Sequence, residues 1–481
     1  MAKAVLSKKD EEFRDFSLNG NMWKVVVQVG FPLALYQELL QLFKILDSMM
    51  ASHISATSVS AVAYLSQINM MLAAVGGGLA VGGSLKISQA YGEGDYEMVK
   101  RRVNSLFALC ALLGFGVLAI LPFTGQLLRL ANTPKELIEI GSRYFAVELI
   151  GLVITFFNMV YICVERARGN SKRILVLNMV VIGIKLSLTA IFVYVLQWGI
   201  TMIAVATIIS QSVLLVAGMK NLNQKGNAFG LSIKYMTLKS EITKPMISLS
   251  FPVIVEKVAF AFGKVIINSM SGVYGALTVG ALGISNSIGG LTTNPQNGFE
   301  EGAAAIISQN LGAGKPERAL DAFKKVLVVN VIVGVIGFVL TRIFLNQISI
   351  LFSSSASGVD YQFREMIYSI YRLESLGGCI PLGINASVIA LMLGFGYTKC
   401  TLLINFCRIF VFRIPVLWGL QLFTSLGSES VGIVMLVSNV LVTIFSCLVA
   451  VVVIRKICRE HQISFWNKKG EATAENAGVS Q

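Results

Sequence analysis

Apolar stretches of about 20 or more residues recur along the whole chain, and each is long enough to cross a hydrocarbon core of about 30 Å. Twelve can be delimited, six in each half. Their approximate limits are 25–48, 56–86, 103–123, 141–165, 174–196 and 199–219, then 246–270, 277–308, 326–346, 366–393, 400–423 and 430–454. Backbone groups in lipid must be satisfied internally, and single runs of this length do so as helices. With 55% hydrophobic and 14% charged residues and a mean hydropathy of +0.71, the chain lacks the charged quarter of a soluble domain. The expectation is an all-α polytopic membrane protein.

Two of these stretches end alike. GLAVGGSLKISQAYGEGDYEMVK, 78–100, and GFEEGAAAIISQNLGAGKPERAL, 298–320, share Gly, Gly, Ser-Gln and Gly-x-Gly at a fixed offset of 220 residues. The same offset relates Phe31-Pro32 to Phe251-Pro252 and Lys44 to Lys264. A period this long marks two copies of one domain rather than a solenoid, whose units run to roughly 20–50 residues. A second echo, Gly169-Asn170-Ser171-Lys172 against Gly396-Tyr397-Thr398-Lys399, follows the fourth and tenth spans, and Glu148 and Gly151 parallel Glu374 and Gly377. The expected domains are an amino-terminal lobe over 1–219, a polar linker over 220–245 and a carboxy-terminal lobe with a short tail over 246–481.

The net charge of +14 would raise nucleic acid as a partner in a soluble protein, but the basic residues sit in short loops and no basic arm interleaves aromatics. Topology accounts for them. About 27 of the 40 Lys and Arg fall on the side shared by both termini, which places the termini and the 220–245 loop in the cytoplasm. Thr57, Trp198 and Gly427 are then expected near the outer surface. Six spans per half make the repeats parallel, related by an axis along the membrane normal, with a cleft between them. The expected architecture is therefore two pseudo-symmetric six-helix bundles around a central cleft. The first twenty residues mix both charges without an apolar core, so no cleavable signal is expected, and a multi-pass plasma-membrane protein is. Seven cysteines, without CxxC spacing or histidine company, read as packing residues.

Span one carries Gln37, Glu38, Gln41, Lys44, Asp47 and Ser48, with Gln37, Gln41, Lys44 and Ser48 on one helical stripe. Span seven repeats the design with Lys257, Lys264 and Asn268. An ionisable group at bilayer depth costs about 2.5–3.5 kcal/mol on insertion scales, so these faces are expected to line a water-filled cavity. Glu256, Arg372 and Glu374 join them as cavity candidates; Glu300, Glu301, Arg408 and Arg413 are further ionisable groups within spans. Pairing among these charges within the helix bundle is the competing explanation. The glycine run at 76–78 lacks a following GxxxxGK[ST], so close helix contact explains it better than phosphate binding. No nucleophile, base and oxyanion hole assemble, and neither an enzyme nor a metal or organic cofactor is expected.

The twelve spans, the FP dipeptide opening the first helix of each half, the motifs ISQAYGEG and IISQNLGAGKPERA, and Asp47-Ser48-Met49-Met50 resemble the multidrug and toxic compound extrusion (MATE) family of secondary transporters. The resemblance covers roughly 22–455. It implies export of a small organic compound, often cationic, by alternating access, driven by protons or sodium. It also implies that Asp47 belongs to the ion site, and that the family's asparagine and aspartate of span five fall near Lys185 and Thr189. The second carboxylate is thus missing, and Asp47, Lys185 and Thr189 become the expected ion-coupling group. The coupling glutamate that some relatives place in span seven has its nearest counterpart, about one turn away, in Glu256. A flippase for a lipid-linked sugar is disfavoured by twelve spans and balanced charge; a non-transporting sensor or scaffold is kept alive by the missing acid. The protein is expected to act as a monomer in the bilayer.

Overall fold

The computed structural model describes residues 4–51, 56–130, 135–199, 201–223, 227–355 and 358–465; the side chains of 43–51, 56–64, 67, 127, 130, 135–137, 139–140, 276, 354–355 and 358–359 lie outside the description. Helices succeed one another as α1 (Lys8–Asn19), α2 (Met22–Ala51), α3 (Ala56–Glu93), α4 (Tyr96–Ile120), α5 (Thr124–Leu130), α6 (Lys135–Ala167), α7 (Ser171–Ala190) and α8 (Thr201–Leu222). After the linker come α9 (Ser240–Ser271), α10 (Ala276–Gly312), α11 (Pro316–Ser353), α12 (Tyr361–Gly378), α13 (Ile380–Gly394), α14 (Thr398–Phe406), α15 (Ile414–Phe423) and α16 (Glu429–Glu460). Ten stretches among the described residues are long and apolar enough to cross a membrane, eleven when the bent pair α12–α13 counts as one span. The twelfth expected span, α10, is a continuous 37-residue helix, but its Asn, Gln, Ser, Thr and Gly content lowers its apolarity. It is shielded from lipid by packing against α2, α3, α11 and α13.

The two halves pack alike. In the first, α3 lies on α4 and α6, α6 on α8, and α2 and α8 on α7; in the second, α10 lies on α11 and α13, α13 on α16, and α9 and α16 on α14 and the turn that follows it. The contacts between halves obey the same symmetry, α3 against α9 and α2 against α10. Small residues permit this approach. A Cβ on Gly78 would meet Ile254 at 2.6 Å and one on Gly82 would meet the Ser250 backbone at 2.4 Å; the 220-residue equivalents are Gly298 against Ala34 at 2.5 Å and Gly302 against Gly30 at 3.3 Å. The repeat visible in the sequence is therefore a pseudo-twofold interface.

Helix ends follow from their residues. Asp95 caps α4 by accepting the Met98 amide, and Asp360 caps α12 by accepting that of Phe363. Gly94 and Gly314, at φ of +81° and +70°, turn the chain after α3 and α10 in a conformation that a side chain would strain. Pro32, Pro252 and Pro295 sit inside continuous helices, whereas α12 and α13 meet at 42° just before Pro381. Two carbonyls beside that break accept side-chain bonds from neighbouring helices: Gln296 Nε2 donates to Cys379 O at 2.8 Å and Thr443 Oγ1 to Pro381 O at 2.9 Å. The expected linker is not a free loop, because Ala228 and Phe229 are fully buried and Asn104 bonds Gly230 O and the Ser232 amide.

All segments expected on the cytoplasmic side gather at one end. Helix α1 lies there across both lobes: Arg14 donates to Tyr91 O and Gly92 O, Ser17 Oγ to Gln309 Oε1 at 2.6 Å, and Arg318 to Ser17 O and Gly20 O. Asp10, 1% exposed, receives both Nε and Nη2 of Arg168 at 2.9 Å, and Asn227 from the linker. Near the other terminus, Lys324 lies over the Phe465 ring and donates to its carbonyl.

Candidate substrate cavity and lobe closure

The two repeated motifs meet each other. A Cβ on Gly92 would fall 1.9 Å from Gln309 O, and its equivalent on Gly312 would fall 2.1 Å from Gln89 O. Each Gly-x-Gly thus packs on the Ser-Gln of the other lobe, and Gln309 Nε2 adds a bond to Ala167 O at 2.7 Å. The lobes are shut at the end that carries α1. Eleven residues along α10, about 16 Å by helical rise, Arg166 of the first lobe pairs with Glu301 of the second at 2.5 Å, and Gln37 donates to the same carboxylate at 3.3 Å.

Beyond that pair lies a cavity of about 640 Å³, within the roughly 300–1,000 Å³ typical of small-molecule sites. Of the residues expected to line it, Gln37, Gln41, Glu256, Lys257, Lys264 and Glu374 do. Glu38, Asn268 and Arg372 do not. Glu38 stands 100° round the helix from Gln37, Asn268 lies one turn beyond Lys264 towards the end of α9, and Arg372 is separated from Glu374 by 200° and is exposed. Lys44 and Asp47 have side chains outside the described residues. Lys185 is half-buried on α7, which packs against α2, and Thr189 on the same helix is fully buried.

Most of the lining comes from the second lobe. Glu256 accepts Thr401 Oγ1 at 2.6 Å and Asn405 Nδ2 at 2.8 Å, and Glu374 accepts the Ser285 hydroxyl. In the first lobe Glu148, the equivalent of Glu374, accepts Tyr144 OH at 3.1 Å and the Asn69 amide. Both acids are thus held by a donor from the second helix of their own lobe. Neutral Asn286, Asn294, Asn297, Asn385, Asn405 and Asn439 complete the wall and were not singled out from sequence. Their signal was available, since an amide in a membrane span is as much in need of a partner as a charge.

Two parallel six-span lobes, pseudo-symmetric and enclosing a polar cavity near mid-helix depth, define a multi-pass membrane transporter fold. Comparison with known proteins agrees. The MatE family model matches residues 32–191 and 252–418, and the chain belongs to that family. It is similar to the probable multidrug resistance proteins YoeA, 22% identical over 84% of this chain and 88% of the relative, and YpnP, 24% identical over 87% and 92%, both from Bacillus subtilis. Among solved structures it resembles a MOP superfamily transporter from Pyrococcus furiosus, described as having a binding pocket of reversed polarity that suggests a different function, with a TM-score of 0.87 at 21% identity over 94% of this chain and 99% of that one. An outward-facing MATE family transporter aligns with a TM-score of 0.87 at 20% identity over 95% of this chain and all of that one.

Proposed function

We propose that this protein exports a small organic compound by alternating access, exchanging it for a proton or a sodium ion. The observation that carries this reading is the reciprocal closure of the two Ser-Gln/Gly-x-Gly motifs at one end, beneath a cavity built from both lobes. A pseudo-twofold interface has an equivalent way to part, so rocking the lobes about the α2–α10 and α3–α9 seams would expose the cavity to the α1 end. Multidrug resistance proteins among the relatives support efflux as the direction. The basic loops gathered around α1 favour that end as cytoplasmic, which makes this state outward-facing in the plasma membrane. The lobes would correspond to 1–219 and 246–481 joined by 220–245, working as a monomer without enzymatic chemistry.

Asp47 and Lys185 are the proposed coupling pair, because α2 and α7 pack against each other and an ammonium beside a carboxylate favours its ionised form. Movement of α7 relative to α2 would then release or admit the ion. The purified protein in liposomes, given an imposed proton or sodium gradient and a panel of dyes, should accumulate dye against one gradient only. Asp47→Asn should abolish this, and Lys185→Asn should shift its pH or sodium dependence. Equal uptake with and without either gradient would overturn coupling. Ser240→Cys labelled from outside intact cells would overturn the orientation.

A further inference from the structure

The span formed by α14, α15 and the turn between them departs from α-geometry where it faces the cavity. Residues Cys407–Arg413 form a π-helical turn. In an α-helix, residues five apart point about 140° away from each other, so Arg408 and Arg413 would face different neighbours. The wider turn brings them together: Arg408 Nη2 and Arg413 Nη2 both donate to Oδ1 of Asn439, at 3.1 and 2.8 Å. Arg413 Nε is held in addition by Ser438 Oγ at 3.0 Å, and the residue is only 4% exposed. Such turns concentrate at functional sites.

Among the described residues neither guanidinium lies within salt-bridge distance of a carboxylate. Glu256 bonds Thr401 and Asn405, and Glu301 pairs with Arg166, while Glu374, bonded to Ser285, is the one carboxylate that interacts electrostatically with Arg408, Arg413 and Lys264 together, a single negative charge against three positive ones. Arg408 Nε is buried without a hydrogen-bond partner, while its guanidinium stacks 5.5 Å from the Phe260 ring, over which Lys264 Nζ also sits at 5.2 Å. Two cations therefore lie over one aromatic wall of the cavity, with Arg413 joined to Arg408 through Asn439. Two buried guanidiniums that share the Asn439 oxygen, with Ser438 as a further neutral acceptor and one carboxylate, Glu374, as their common counter-charge, carry a desolvation cost that the protein offsets only in part. Their complement is an anion.

We infer that Arg408 and Arg413 form an anion subsite within the cavity, and that the ligand is an organic anion whose carboxylate or phosphate is received by the two guanidiniums while its apolar body lies on Phe260. This rests on reading the cavity as the transport site. Guanidiniums suit either group because their planar donors engage two oxygens at once. Asn439 acts as the bracket that brings the two guanidiniums together.

The test uses the full chain in nanodiscs, with carboxyfluorescein as the anionic probe and ethidium as the cationic one. Carboxyfluorescein should bind saturably and lose about tenfold or more in affinity in Arg408→Gln and Arg413→Gln, as expected for a charge-assisted hydrogen bond. Ethidium binding should not weaken. Benzoate and phenyl phosphate as competitors identify the group: displacement by either supports the subsite and names it, and displacement by neither overturns it. Because Arg413→Gln could misfold, Asn439→Asp is the second variant; it supplies a second counter-charge at unchanged size, and should raise the melting temperature while weakening carboxyfluorescein. Carboxyfluorescein affinity unchanged in Asn439→Asp and Arg408→Gln would overturn the proposal. Ethidium counterflow in liposomes separates the two readings. Robust counterflow without anion binding removes the subsite and leaves the exporter, whereas anion binding without transport of either dye does the reverse.

Discussion

At the scale of single residues, the contact between Arg166 and Glu301 is the charge pair that spans the lobes directly below the cavity. Both partners are largely withdrawn from water, the Arg166 side chain at 8% exposure and that of Glu301 at 24%. Removing one partner from a buried pair leaves the other desolvated and unpaired, at a cost of about 3–5 kcal/mol, whereas removing both is far milder. The partial exposure of Glu301 puts the expected loss at or below the low end of that range. Arg166→Ala and Glu301→Ala should each lower the melting temperature more than the double variant does. A double-mutant cycle measured by thermal unfolding in detergent checks this, and strictly additive losses would mean that the contact contributes nothing. Sequence alone placed Glu300-Glu301 in a span but left its partner open, because Arg166 belongs to a loop signal in the other half. Gln37, Gln41, Glu256, Lys257, Lys264 and Glu374 were legible as cavity residues because polar groups at bilayer depth have few places to go. Arg372 is likewise an ionisable group within a span, but it stands two residues from Glu374, which on a helix reverses the direction of a side chain.

Elements carry what residue patterns could not. Helix α1 has a mixed-charge sequence with no distinctive motif, yet it ties the closing motifs of both lobes together through partners far along the chain, Arg14 to Gly92, 78 positions away, and Ser17 to Gln309, 292 positions away, while Asp10 reaches Arg168 and Asn227. No local rule reveals such a pairing. Burial opposes ionisation of Asp10, but the Arg168 guanidinium, Ser7 and Asn227 outweigh it and hold the carboxyl below its ordinary value of 3.8. A depressed carboxyl contributes stability that is fully present above the unfolded value and is lost as pH falls through the folded one. Docking of α1 should therefore persist at neutral pH and fail below the ordinary carboxylate range. Asp10→Asn should lose the pH-dependent part at every pH, making α1 more open to limited proteolysis at neutrality; cleavage rates equal to those of the unaltered protein would refute this. The π-helical turn at Cys407–Arg413 was hidden for another reason. Stripe analysis assumes 100° per residue throughout, and one wide turn shifts the phase of everything beyond it, so Arg408 and Arg413 could not be grouped from spacing, and Asn439 joins them from another helix, α16. Of the prolines within spans, only Pro381 follows a break among the described residues, while Pro32, Pro252 and Pro295 leave their helices continuous, so a proline by itself does not locate a bend.

For the molecule as a whole, the 220-residue offset is both the most legible feature and the mechanical one. Identical residues at that spacing in the sequence became identical contacts across the seam, so the repeat specified an interface as well as two domains. In the alternating-access cycle proposed above, closure reduces to whether two backbones can touch. Gly92 lies against Gln309 O and Gly312 against Gln89 O, and in each case the neighbour is a main-chain carbonyl inside a helix, which cannot swing aside as a side chain would. Alanine at either position forces the lobes apart at the α1 end. Overpacking of this sort costs about 1–3 kcal/mol, a shift of roughly fivefold to 150-fold in a two-state population. Ser250, fully buried against Gly82 in the same seam, reports the opening. In a background lacking the seven native cysteines, Ser250→Cys should react slowly with a maleimide applied to the purified protein in detergent. Adding Gly92→Ala should accelerate labelling, and adding Gly312→Ala should do so in the same direction, because the pseudo-twofold makes them the same perturbation seen from opposite lobes. Transport should fall in both, since a lobe pair that resists closing at this end cannot complete its cycle. Labelling that stays slow in both variants would show that the motifs do not form the closing contact, and acceleration in one alone would show that the two lobes close by different means.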